Sequence, residues 1–165
     1  MILKIVITLV LVALLCVIIN GIEKYCRVHN TSVMSFKESM DLTELPIITF
    51  YNNGSKLNFL LDTGANTSVI NHSALDSISY KKEDGTGTLF GMEGNKIEVC
   101  YVTIPLEYKD KVYEDCFQVV DMSQSFNQIK SESGVILHGV LGSLFFQKYQ
   151  YVLDFKSLIA YSKKQ

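Results

Sequence analysis

The residues in this chain best suited to chemistry are Asp62-Thr63-Gly64. They follow directly on Leu57-Asn58-Phe59-Leu60-Leu61, whose continuous apolar end predicts a strand buried on both faces. An aspartate at the end of such a strand is costly unless something uses it. Gly64 permits a sharp backbone turn with no side chain in the way. Thr63 adds a hydroxyl on a stiff β-branched stem. Together they would present a carboxylate at a rigid spot with room for a ligand above it. The alternative is a structural turn in which Asp62 accepts backbone N–H groups. Three-residue motifs recur by chance, so the tripeptide alone leaves both readings open.

The elements that must position Asp62 can be read on either side of it. Ile47-Ile48-Thr49-Phe50-Tyr51 predicts a strand, and Asn52-Asn53-Gly54-Ser55 is a strong hairpin signal leading into the strand that ends at Asp62. Beyond the tripeptide, Thr67-Ser68-Val69-Ile70 reads as a short strand, and Asn71 as the cap of a short helix near Ser73–Leu75. The glycine-spaced stretch from Gly85 to Asn95 reads as two strands around a tip. Ile97–Leu106 and Val112–Val120 alternate and flank a Lys109-Asp110 turn, and Asp121–Ser133 is polar and reads as a loop. Val135–Gly142 is apolar, Ser143 reads as the cap of a helix through Tyr149, and Tyr151–Phe155 with Ser157–Tyr161 closes the chain as a hairpin. Many short strands, closely spaced turns and one or two short helices predict a small, closed all-β domain. No repeat and no βαβ alternation is present.

Composition narrows the class further. The 165 residues carry 15 basic and 17 acidic side chains, a balance that leaves no electrostatic footprint for nucleic acid. The hydropathy is unevenly spread. Residues 1–22 are apolar except for Lys4, Thr8, Asn20 and Gly21, and outside them the apolar share falls to about 43%, ordinary for a soluble domain. From Ile5 to Ile22 there is no charge, enough at about 1.5 Å per residue to approach a ~30 Å hydrocarbon core. No small-residue cleavage pattern follows the run, which favours an uncleaved transmembrane helix over a signal peptide. The expected organisation is therefore a bilayer anchor at 1–22, a polar tether at 23–44 and a domain at 45–165. The short head with Lys4 favours a single-pass topology with the domain outside the cytoplasm. Four scattered cysteines make no disulfide framework, although Cys100 and Cys116 fall on neighbouring strands and would pair if the register allowed. No Cys-x-x-Cys or His/Cys cluster suggests a metal, and His29, His72 and His138 read as surface or loop residues.

The ordered set of motifs resembles the retropepsin-like aspartic proteases, the family of retroviral proteases and their bacterial relatives. The match runs through Phe59-Leu60-Leu61-Asp62-Thr63-Gly64-Ala65 and then Thr67-Ser68-Val69-Ile70. It continues through the glycine-bearing Phe90-Gly91-Met92-Glu93-Gly94-Asn95 to Gly139-Val140-Leu141-Gly142-Ser143-Leu144-Phe145-Phe146 and the hairpin through Leu153-Asp154-Phe155. It covers roughly residues 45–162. The resemblance implies a small closed barrel of the acid-protease type, with Asp62 catalytic and Thr63, Gly64 and Ala65 supporting its loop. It also implies a flap at Gly91, Met92, Glu93 and Gly94, and a segment at Leu141 and Gly142 threading beside the catalytic loop. Retroviral members carry an acidic residue just after the Asp-Thr-Gly-Ala and an arginine after the late glycine. Here Asn66 and Ser143 stand at those positions, which points to the bacterial-type branch.

The implied reaction is hydrolysis of a peptide bond by a water held between two carboxylates that share one proton. The chain has one Asp-Thr-Gly, so the resemblance implies that the second carboxylate comes from another copy across a two-fold contact. Asp154 is the intrachain competitor, but it lacks a following Thr/Ser-Gly and reads as a strand-end residue. The implied partners are a protein or peptide substrate, a second copy, and the lipid bilayer through residues 1–22. No metal or cofactor is called for. The competing class is a catalytically silent, membrane-anchored β-barrel that binds peptides or partner proteins. A scaffold in which the domain is only a spacer is a third.

Overall fold

The computed structural model describes residues 12–21, 33–90 and 96–163, and the chain divides into two units, residues 1–33 and Met34–Gln165. In the first unit residues 12–21 form a helix, α1, with exposed side chains. Among the described residues no helix is long and apolar enough to cross a membrane. The remainder of the expected anchor, residues 1–11 and 22, lies outside the described residues.

The second unit is mostly β. It begins with a two-residue strand β1 (Met34–Ser35) and a helix α2 (Lys37–Thr43). Then come β2 (Ile47–Asn52), β3 (Ser55–Leu61), β4 (Ser68–Asn71), a 3-10 turn (His72–Ser77) and β5 (Lys81–Phe90). β6 (Lys96–Tyr108), β7 (Lys111–Val120), α3 (Ser123–Ser133), β8 (Gly139–Leu141) and α4 (Ser143–Tyr149) follow, and β9 (Tyr151–Asp154) and β10 (Ile159–Ser162) complete it. Seven strands form one sheet in the order β2-β3-β8-β4-β7-β6-β5, and Tyr51 of β2 also pairs with Glu107 of β6. The other three form a sheet in the order β1-β10-β9.

The expected Asn-Gly hairpin is present. Asn53 and Gly54 both take positive φ, 48° and 82°, as a primed two-residue turn requires. The apolar face behind it is aromatic. Phe50, Phe59, Phe117 and Phe145 are fully buried, and Phe50 meets both Phe59 and Phe145 edge to face at 6.2 Å. Each such ring contributes about 2–3 kcal/mol by leaving water. A second apolar cluster gathers Ile47, Phe126, Leu137 and Val140 beneath α3.

The structure departs from the sequence reading at three places in these elements and answers a fourth point, the pairing of Cys100 with Cys116, that was left to the register. Residues 34–44, read as the end of a polar tether, are folded onto the domain. Met34 and Phe36 are buried in its main core, and the Ser39 hydroxyl accepts the Ile47 N–H at 3.0 Å, tying α2 to the start of β2. Residues 123–133, read as loop, are helical. Met122, Phe126 and Ile129 recur at helical spacing and pack on the second cluster, a period masked by polar composition. Asn71 does not cap the turn that follows it. Its side chain donates to the Ser73 hydroxyl and accepts the Met122 N–H at 2.9 Å, joining β4 to the entry of α3. Cys100 and Cys116 do not pair. The register sets Cys116 opposite Thr103, leaving Cys100 about 10 Å along the ladder, beyond disulfide reach, and both are free thiols.

Candidate active site

Asp62 stands where β3 ends. Its N–H donates to the Leu141 carbonyl at 3.1 Å, one step past the parallel pairing of Leu61 with Leu141. Its Oδ1 accepts the Gly64 N–H at 2.8 Å, and its carbonyl accepts the Ala65 N–H at 3.3 Å. The carboxylate is thus oriented by its own turn, the bond foreseen for a purely structural aspartate. Here that bond also aims a group that is only half-buried. Thr63 and Gly64 beside it are exposed.

The turn rests on β8 and the start of α4. β8 lies between β3 and β4, parallel to the first and antiparallel to the second, so the 62–67 arc passes over its end. At that crossing the chain carries Gly142. A Cβ there would lie 2.6 Å from both the carbonyl carbon and the oxygen of Thr67, closer than a side chain can approach backbone. Gly139 is required for the same reason, since its Cβ would lie 2.3 Å from the Val69 oxygen. Ser143 does not cap α4 with its side chain. Its N–H and its hydroxyl both donate to the Ala65 carbonyl, at 2.8 and 3.0 Å, while the Leu144 N–H donates to the Asn66 carbonyl at 3.1 Å. At the two positions where the retroviral pattern puts an ion pair, this chain therefore bonds through a serine and backbone.

The structure brings together Asp62, Thr63, Gly64, Ala65, Leu141 and Gly142 in one knot. The expected flap residues Gly91, Met92, Glu93 and Gly94 lie outside the described residues. Asp154 is elsewhere, at the end of β9 in the smaller sheet. Its Oδ1 accepts the N–H groups of Lys156 and Ser157 at 2.9 and 3.1 Å, and these bonds hold its carboxyl below the usual range. That is a turn-forming aspartate. Among the described residues no group of three or more His, Cys, Asp or Glu is placed to hold a metal ion.

Two connections at the arc were not foreseen. Thr67 donates its hydroxyl to Gln118 Oε1 at 3.0 Å, and Gln118 Nε2 reaches the Tyr101 hydroxyl at 3.4 Å. Tyr101 lies so close over Gly87 that a Cβ there would collide with its phenol ring, so this chain of bonds runs from the arc to the β5–β6 hairpin. Ser68, next along, donates its hydroxyl to Asp115 Oδ2 at 2.6 Å and accepts the Gly142 N–H at 3.3 Å. Asp115 is only 8% exposed. Burial raises its carboxyl above the usual range, against the lowering effects of Ser68 and of Lys148, whose Nζ is 4.0 Å away. The signal in the sequence was phase: Asp115 alternates with Tyr113, Phe117 and Val119, so it points inward.

Two cavities among the described residues lie away from Asp62. One of about 420 Å³ is lined by α2, β2 and the 134–136 segment, and another of about 590 Å³ by Lys81, Glu83, Asp115, Cys116 and Lys148 among others.

Two comparisons bear on this geometry. The family model described as aspartyl protease matches residues 48–143, more than half of the chain, from β2 to the first residue of α4. Among solved structures, the chain is similar to EIAV protease complexed with the inhibitor HBY-793. The identity is 23% and the TM-score 0.50, over 70% of this chain and 97% of that one. At that identity the likeness speaks to the fold alone.

Proposed function

Because the chain belongs to the aspartyl protease family and is thereby an aspartic peptidase, we propose that Asp62 supplies one half of a carboxylate dyad completed by Asp62 of a second copy. The observation that carries this reading is the clamp on Asp62. Its N–H is held by Leu141 and its Oδ1 by Gly64, at a half-buried position flanked by the exposed Thr63 and Gly64. One chain presents one such carboxylate, and an exposed loop tip beside it is the surface a second copy would cover.

In the paired site one aspartate is ionised and the other protonated, because close like charges resist joint ionisation. The ionised one takes a proton from the bound water as it attacks the scissile carbonyl carbon. The protonated one gives its proton to the carbonyl oxygen. Collapse of the tetrahedral species then breaks the C–N bond: the aspartate that took the water's proton gives it to the leaving amine, and the other takes a proton back from a hydroxyl of the gem-diol, which restores the dyad. The substrate lies extended, and the β5–β6 hairpin, with Gly91, Met92, Glu93 and Gly94 at its tip, closes over it as a flap that excludes water. The Tyr51–Glu107 pairing, in this reading, closes the seven-stranded sheet into the small barrel of the retropepsins. The uncharged run to Ile22 is a single-pass anchor with the peptidase outside the cytoplasm, and it concentrates copies in two dimensions for pairing.

The test is cleavage of a mixed peptide library by the wild-type chain and by Asp62→Asn. The wild type cleaves, with a bell-shaped pH profile peaking on the acid side that belongs to the pair and not to either aspartate. Asp62→Asn is folded and inactive. Near-wild-type cleavage by folded Asp62→Asn would overturn the reading. Binding of the same peptide by both proteins with cleavage by neither would favour the silent binding module.

A further inference from the structure

Ser68 and Asp115 are 47 residues apart in sequence and meet in the interior directly beneath the Asp62 arc. The hydroxyl of Ser68 has one proton, and the 2.6 Å contact commits it to Asp115 Oδ2. With that proton fixed, the serine lone pairs face the Gly142 N–H, which donates to them at 3.3 Å. Gly142 is the residue on which the carbonyl of Thr67 rests, and Ser143 and Leu144 after it hold the Ala65 and Asn66 carbonyls. A buried carboxylate is costly, and a serine–glycine contact could be made without one. Here the carboxylate determines which way the serine hydroxyl points.

Resting on the reading of Asp62 as catalytic, we propose that Asp115 is a positioning residue for the peptidase reaction. Acting through the Ser68 hydroxyl, it locks the Gly142 backbone and so sets the height and angle of the loop that carries Asp62. Asp115 touches neither substrate nor reacting atoms. Lys148 Nζ, 4.0 Å from Asp115 Oδ1 and bonded to the Glu114 carbonyl, holds the carboxylate from its other side. Misplacing a reacting group by a fraction of an ångström slows chemistry more than it weakens binding. A carboxylate that served stability alone would change the amount of folded enzyme and leave the turnover of each folded molecule as it was.

The experiment compares Asp115→Ala, which removes the acceptor, with Asp115→Asn, which keeps an oxygen for the Ser68 proton. Steady-state cleavage is measured per folded molecule, together with amide exchange at Gly142. Asp115→Ala is expected to lower kcat about tenfold or more with KM changed less than about twofold, and to speed Gly142 exchange by about tenfold. Asp115→Asn is expected to recover most of both. Equal kcat per folded molecule in wild type and Asp115→Ala would overturn the proposal, as would Asn proving as harmful as Ala. Should Asp115→Ala fail to fold, Ser68→Thr and Ser68→Val, matched in shape, carry the same comparison: Thr keeps turnover and Val loses about tenfold. Gly142 exchange needs no substrate. If the wild type cleaves nothing, the reading of Asp62 fails, while unchanged exchange in Asp115→Ala separately overturns the role of Asp115.

Discussion

At the scale of single residues, the two aspartates that end strands have opposite fates. Asp62 spends one oxygen on its own turn and stands beside exposed backbone, whereas Asp154 spends the same kind of oxygen on two N–H groups that close the β9–β10 hairpin. Asp62→Asn should therefore abolish peptide cleavage while leaving the melting temperature unchanged or slightly higher. Asp154→Asn should cleave within about threefold of wild type, because an amide oxygen still accepts in the turn. Gly142 makes a second test at this scale. Its φ of −92° suits any residue, so what it supplies is space. Gly142→Ala must push Thr67 away, with an expected loss of about 1–3 kcal/mol of stability and more than tenfold in cleavage. Thermal melts and kcat of purified variants check both. Asp62 was legible because strand, carboxylate and glycine are consecutive in the chain. Asp115 was not, because its meaning depends on Ser68, which only the parallel β4–β7 pairing brings to it. The trace it left in sequence was a charge in phase with three buried apolar side chains.

At the scale of elements, the strands around Asp62 are tied together by a histidine that the sequence reading assigned to the surface or a loop, and that lies in the loop before β8. His138 precedes β8, is half-buried, and uses Nδ1 to accept the Asn58 N–H of β3 at 3.0 Å. Its own N–H donates to the Asn58 carbonyl at 2.9 Å, and its carbonyl accepts the Asn71 N–H from the end of β4. Burial lowers the imidazole pKa below the ordinary value. The unfolded chain, with a histidine near pH 6.5, therefore takes up the proton first. The stability from the neutral ring is complete above about pH 6.5 and is lost as pH falls through the lowered folded value. Melting curves from pH 7.5 to 5 should show wild type losing a few degrees more than His138→Asn, whose side-chain oxygen can accept without titrating. Parallel curves would assign the acid loss to other groups. The hairpins were readable from turn chemistry alone. The helix α3 was hidden because only two of its eleven residues, Phe126 and Ile129, are apolar and, with Met122 at its N-cap, pack on the cluster of Ile47 and Val140, too few to lift the segment from a polar background.

At the scale of the whole molecule, the domain starts earlier than composition suggested. β1 pairs with β10, and α2 is tied to the start of β2, so the compact unit begins at Met34. A chain starting at Val33 should be soluble and as stable as the full-length domain. One starting at Thr43 loses the buried Met34 and Phe36 and should melt lower by an amount corresponding to about 4 kcal/mol. In the anchor reading, the full-length chain stays with membranes through an alkali wash and the Val33 chain is released. The central claim is that the peptidase site is made by two copies, each giving Asp62. The direct measurement adds increasing amounts of the Asp62→Asn chain to a fixed, low concentration of the soluble wild type and follows peptide cleavage. If the dyad spans two chains, the variant draws wild-type chains into pairs with one carboxylate. Cleavage then falls toward zero as the variant comes to exceed the wild type. If cleavage stays constant at every ratio while the wild type alone remains active, a single chain holds the whole site, and the two-copy account is contradicted.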